Sequence, residues 1–196
     1  MAFRNQQAFD DPKSRLAALG LDLRPSTAIT DMQGRVLAYA QSGGILATTR
    51  YQIATGTTLF RFGSRNVGTD RVAVGAWWCD RPAFDHIFRF AQVWDLSIGM
   101  AMRMLCLVPP EWSDATLLVR ARTVEPLLAW RGLANSVITP AKASGPSVRM
   151  PHQNDISARR LHQLFIPGLR GARSALCVEQ SYPLDAAMGE RGFLYL

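Results

Sequence analysis

A chain of 196 residues, 48% of them hydrophobic, can bury a core of ordinary size, and none of its apolar runs reaches the roughly 20 residues a bilayer span needs. The formal charge of +7 comes almost wholly from arginine, because lysine occurs only at Lys13 and Lys142. Arginine favours forked contacts to phosphate or carboxylate over a diffuse cationic cloud, and its scatter along this chain gives little support to a dedicated nucleic-acid stripe.

Residues up to about Leu23 read as a surface helix, with Asp10, Asp11 and Pro12 as a start signal and Pro25 as the stop. Between Thr27 and Phe62, β-branched runs broken by Gly34, Gly43, Gly44 and Gly56 predict short strands and turns, with room for one helix among them. The stretch TTLFRFGSRNVGTDRVAVGAWW, residues 57–78, reads as strand, polar turn, and a second strand, RVAVGAWW, ending in two tryptophans. Asp80 as a cap and Pro82 in the first turn open a helix whose apolar face is expected from Phe84, Ile87, Phe88, Ala91 and Trp94. A second helix, capped by Asp95 or Ser97, runs through IGMAMRMLCLV until Pro109 and Pro110 stop it. Met100, Met102 and Met104 on that helix read as core filler, since thioethers alone suit only soft metals.

The period then changes to two. TLLVRARTV puts Leu117, Val119, Ala121 and Thr123 on one face and Leu118, Arg120 and Arg122 on the other, and PLLAWRG follows as another strand. Residues 135–157, rich in Pro and Gly, read as a long mobile loop. LHQLFIPGL, SALCVEQSY and the terminal GFLYL read as strands. Two central helices among many short strands make an α+β protein without the alternation of a doubly wound sheet.

No glycine-rich phosphate loop, zinc motif or nucleophile elbow is present. Cys79, Cys106 and Cys177 show neither metal-ligand spacing nor a disulfide framework, and their apolar flanks suggest reduced, buried thiols in a cytoplasmic protein. The N-terminus lacks the apolar core of a secretory signal, which leaves delivery to another cell to a route that reads some other signal. The chemistry that stands out is Arg61 with Arg65, and Ser64 between them, beside Trp77 and Trp78. Guanidinium grips phosphate oxygens and indole offers a stacking face, so the set suits a ligand with both a phosphate and a flat ring. On a regular strand the two tryptophans point to opposite faces, so at least one belongs to the core.

An arginine on an early strand (LFRF), a strand ending in aromatics (GAWWCD), a following helix and a late strand ending QLFIPG together resemble the divergent bacterial ADP-ribosyltransferase fold, with its toxin and RES-domain relatives. The resemblance runs from about Thr57 to the C-terminus. It implies a split, mostly antiparallel β-sheet core with two central helices over 51–196, and residues 1–50 packed on it as a helix and short strands. It also implies NAD as substrate, with no metal, held by Arg61 and by Ser64, Arg65, Trp77 and Trp78. ADP-ribose would go to a protein or nucleic-acid acceptor, or to water. Gln163 falls where that family's strand begins with the catalytic glutamate, and an amide supplies no negative charge to an oxocarbenium-like centre. Glu179 and Glu111 are the alternative carboxylates. The resemblance further implies a toxin or effector, with a cognate neutralising partner. Two other classes stay open at this point, an arginine-rich nucleic-acid-binding protein and a non-catalytic interaction module. A contiguous basic face would mark the first and a flat apolar patch the second.

Overall fold

Two short connections decide how the strands must be arranged. The computed structural model describes residues 2–21, 28–30, 32–39, 43–110, 112–139, 148–150 and 161–184. Strands β1 (Ala28–Thr30) and β2 (Val36–Tyr39) pair with each other. A seven-stranded, wholly antiparallel sheet is built from β3 (Ile45–Ile53), β4 (Thr58–Gly63), β5 (Trp77–Asp80), β6 (Leu117–Thr123), β7 (Leu127–Ala134), β10 (His162–Phe165) and β11 (Leu176–Pro183). Its order is β11-β6-β4-β5-β10-β7-β3. The remaining strands, β8 (Val137–Thr139) and β9 (Val148–Met150), form a separate pair.

In that order β3 and β4 lie four strand spacings apart, about 19 Å across a flat sheet. Residues 54–57 join them, and even fully extended they reach only about 17 Å. They are not extended, because Thr57 N donates to Ala54 O in a tight turn. Residues 124–126 make the equivalent jump from β6 to β7. Thr123 locks the two turns together, its hydroxyl donating to Ala54 O at 2.6 Å and accepting from Thr57 N at 2.9 Å. The sheet therefore curls until its halves face each other, without closing. Leu59, Trp78, Val119, Leu127, Leu164 and Ile166 fill the space between the halves as one apolar cluster.

Among the described residues, strand pairing joins the halves only at β5, which is too short to pair fully with either side. Cys79 and Asp80 pair with β4, whereas Trp77 and Trp78 pair with β10. Beyond Phe60 the β4 backbone has no partner on the β5 side, so the sheet is split there. The α+β architecture, the antiparallel sheet and the opposite faces of the two tryptophans are as expected from sequence.

The outer face beside the split is covered by α4 (Arg81–Val93) and α5 (Ile98–Cys106). Asp80 caps α4 by accepting from Ala83 N at 3.0 Å, and Ser97 rather than Asp95 caps α5, accepting from Met100 N at 3.2 Å. The buried face of α4 is Ala83, Ile87, Phe90 and Ala91, with Phe84 stacked on Phe60 at 3.9 Å. Phe88 and Trp94, expected in that face, are 47% and 59% exposed, because the covered stripe lies one position round the helix. Leu107 ends α5 in the left-handed conformation before either proline is reached.

Four further expectations need correcting. The N-terminal helix is two helices, α1 (Gln6–Asp10) and α2 (Pro12–Ala18), because Pro12 forces Asp11 out of helical geometry; Asp11 then caps α2 through Lys13 N. In RVAVGAWW only the end is a strand. Gly68, at φ 84°, opens α3 (Thr69–Ala73), which turns Val72 and Ala73 into the cluster between the sheet halves. The 135–157 loop contains β8 and β9. Cys177 is exposed on the edge strand β11, while Cys79 and Cys106 are buried as expected. Glu111, GFLYL and residues 140–147 and 151–157 of that loop lie outside the described residues.

Candidate functional site

The split between β4 and β5 is where Arg61 sits. Its guanidinium Nη1 donates to Trp77 O, a carbonyl that faces the unpaired stretch of β4, so the side chain replaces a missing rung of the ladder. Gly75 makes the seat. A Cβ there would lie 2.1 Å from Nη2 and 2.3 Å from Cζ of Arg61. The residue as a whole is partly exposed, yet its Nε has no solvent contact and no hydrogen-bond partner. Burial pushes the guanidinium pKa down to about 10, and attraction from Cys79 offsets part of that. At neutral pH the group remains a cation with an unused donor. It forms no ion pair with the two carboxylates nearest in sequence: Asp70 pairs with Arg173 at 3.0 Å, and Asp80 caps α4.

Beside Arg61 a cavity of about 210 Å³ opens between the sheet and the end of α5. Phe60, Phe62, Trp77 and Cys79 come from the sheet side, and Met102 and Cys106 from α5, spaced by one helical turn so that both face the sheet. Trp112 and Ser113, after the helix, complete the lining with Asn135 and Gly44. Small-molecule sites usually run to about 300–1,000 Å³, so this one accepts one end of a larger ligand rather than all of it. Its character is aromatic and sulfur-rich, with one cation. No acidic side chain lines it among the described residues.

The structure brings four of the sequence candidates, Arg61, Trp77, Trp78 and Gln163, to this cavity and separates Ser64, Arg65 and Glu179 from it. Arg61 and Trp77 line it, Trp77 half-buried and edge-on to Phe165 at 5.0 Å. Gln163 lines it too, buried, with Nε2 donating to Cys106 O at 3.1 Å, which leaves its amide oxygen free to accept. Trp78 touches the lining, but its indole is 2% exposed and donates to Gly75 O at 2.8 Å, so it takes the core role of the pair. Ser64 and Arg65 stand away from the cavity. The Ser64 hydroxyl donates to Asp114 Oδ2 at 2.9 Å, and Arg65 is exposed in the turn Arg65–Val67, with its backbone N–H on Thr116 Oγ1.

Glu179 is the clearest correction. It is the extra residue of a bulge in β11, at the far edge of the sheet and four strands from Gln163. Its carboxylate bridges Arg122, at 2.6 Å, and Arg120, at 3.0 Å; the Arg120 contact is an ion pair whose angle makes no hydrogen bond. That arrangement neutralises two arginines on neighbouring β6 and supplies nothing to the cavity.

Sequence reasoning missed Gly75, Trp112 and the two buried thiols as parts of one place. The Met102–Cys106 spacing was a readable signal for a shared helix face. Nothing in the sequence pairs Gly75 with Arg61.

Arg103 holds the connection that carries Trp112. Buried on α5, it donates to Val108 O at 3.3 Å and to Ser113 O. Asp114, next in the chain, is drawn up by burial, but hydrogen bonds from Thr116 and Ser64 and the charge of Arg103 outweigh this and hold its carboxyl below the ordinary range.

No protein-family model matches this chain, and no curated protein matches it. Among solved structures it is similar to Rhs1-CT in complex with cognate immunity protein RhsI1. The two are 9% identical, over 77% of this chain and 89% of that one, with a TM-score of 0.44. At that depth the likeness says nothing about chemistry.

Proposed function

We propose that this chain is an NAD-directed effector of the ADP-ribosyltransferase kind, which passes ADP-ribose to a macromolecule or to water. One observation carries the reading: a buried guanidinium with an unused donor flanks an aromatic cavity at the split of an antiparallel sheet. Arg61 would neutralise a phosphate, and Trp77 or Trp112 would stack on the nicotinamide. The free amide oxygen of Gln163 would accept from a carboxamide or a ribose hydroxyl. The effector role and a neutralising partner rest on the resemblance of LFRF, GAWWCD and QLFIPG alone.

A second reading, binding of NAD without turnover, is favoured by the lack of acidic side chains around the cavity among the described residues. Loss of nicotinamide builds positive charge at the ribose carbon, and a neutral lining does little to stabilise it. Release of nicotinamide from NAD by the purified protein, beside Arg61→Ala, separates the possibilities. Release that disappears in the variant supports transfer or hydrolysis. NAD-dependent thermal stabilisation without release supports the binding-only form. Neither effect in the wild type removes both.

A further inference from the structure

Two of the three cysteines meet in the cavity wall. Cys79 comes from β5, the strand that joins the sheet halves, and Cys106 from the last turn of α5. Both line the same cavity, and both belong to the apolar cluster beneath α4 and α5. Neither is placed by its neighbours in sequence; the docking of α5 on the sheet brings them together. We propose that Cys79 and Cys106 form a dithiol modification site that closes to a disulfide when a hydroperoxide enters the cavity.

The chemistry has a direction. Cys79 lies close enough to Arg61 to act on it electrostatically, which sets the cation of the split beside that sulfur. Cys106 is pushed well up, first by its hydrogen bond to Cys79 and then by burial, which keeps it a thiol until its neighbour has reacted. Cys79 would lose its proton and attack one oxygen of hydrogen peroxide. The O–O bond breaks, the second oxygen leaves as water, and Cys79 becomes a sulfenic acid. The Cys106 sulfur then attacks that of Cys79. The S–O bond breaks, a second water leaves with the Cys106 proton, and the S–S bond forms. Two thiols are oxidised to one disulfide while one peroxide is reduced to two waters. Because Cys106 O holds the Gln163 amide, closure would tie the redox state of the chain to the shape of its cavity.

Exposed Cys177 is removed first, as Cys177→Ser, so that only the two cavity thiols are counted. The reduced full chain is treated with hydrogen peroxide, unfolded and alkylated, and its thiols are counted by mass. The expected result is loss of both thiols together, with a Cys79–Cys106 linked peptide and no dimer on a non-reducing gel. In Cys106→Ala the oxidation should instead stop at a sulfenic acid on Cys79, trapped by a cyclic dione. Retention of both thiols under conditions that oxidise Cys177 in the wild type would overturn the proposal. So would over-oxidation of Cys79 with Cys106 still alkylatable. Neither readout depends on NAD.

Discussion

Gly75→Ala tests the seat of Arg61 without touching its charge. The added methyl would come within 2.1 Å of Nη2, and Gly75 is not among the glycines with positive φ, so the backbone accepts alanine. What must yield is the far end of a flexible side chain. The fold therefore survives and the guanidinium leaves. The bond to Trp77 O is lost, about 1.5–3 kcal/mol for a charged donor. Hydration is regained: a guanidinium held at about 10 carries a burial cost of about 3 kcal/mol, taking about 1.4 kcal/mol per pK unit. The two terms largely cancel, and urea denaturation should show a change no greater than about 1.5 kcal/mol. A bound phosphate has no such compensation. Losing its charged partner costs about 1.5–3 kcal/mol, a rise in Kd of roughly 10- to 100-fold. NAD titrations followed by calorimetry, alongside urea curves, measure both. A folded variant that binds NAD like the wild type refutes the reasoning. A stability loss above about 3 kcal/mol does so as well, since it would mean that Arg61 is structural.

Two other expectations follow from the same geometry. Glu179→Gln should leave nicotinamide release and NAD affinity unchanged within about twofold and lower stability by less than about 1 kcal/mol, because its partly exposed ion pairs lie at the sheet edge; comparing kcat/KM and urea midpoints with the wild type checks this. Asp114 has a depressed folded-state pKa, so its contribution is present above the ordinary carboxylate pKa of about 3.9 and is lost as pH falls through the lower folded value. Asp114→Asn should therefore be less stable than the wild type at neutral pH, with the gap closing in acid, as read from Tm against pH.

The fold was legible where local chemistry is strong. Asp80 with Pro82 and the two-residue alternation of Leu117–Thr123 each point to one structure, and the structure agrees; of the two caps open for α5, it takes Ser97. Legibility failed where a distant contact overrode local preference. RVAVG has the β-branched texture of a strand, yet Val72 and Ala73 are needed between the sheet halves, and only a helical turn after Gly68 delivers them there. Phe88 and Trp94 satisfied a helical period yet stay largely outside the packed face. Arg61, Trp77 and Gln163 stood out in the sequence as charge, ring and amide on apolar strands, and the structure places all three on one cavity. Glu179 was misjudged because sequence cannot say that its strand lies at the sheet edge against two arginines. Gly75 carries no signal of its own, as its role exists only once β5 has separated from β4.

The central claim is that a dinucleotide is held at the split through Arg61. Calorimetric titration of the full chain with NAD, repeated with Arg61→Ala, tests it most directly. The account predicts saturable binding at one site by the wild type and at least a roughly tenfold weaker Kd in the folded variant. Equal affinity in the two proteins, or no heat of binding in the wild type, would contradict it.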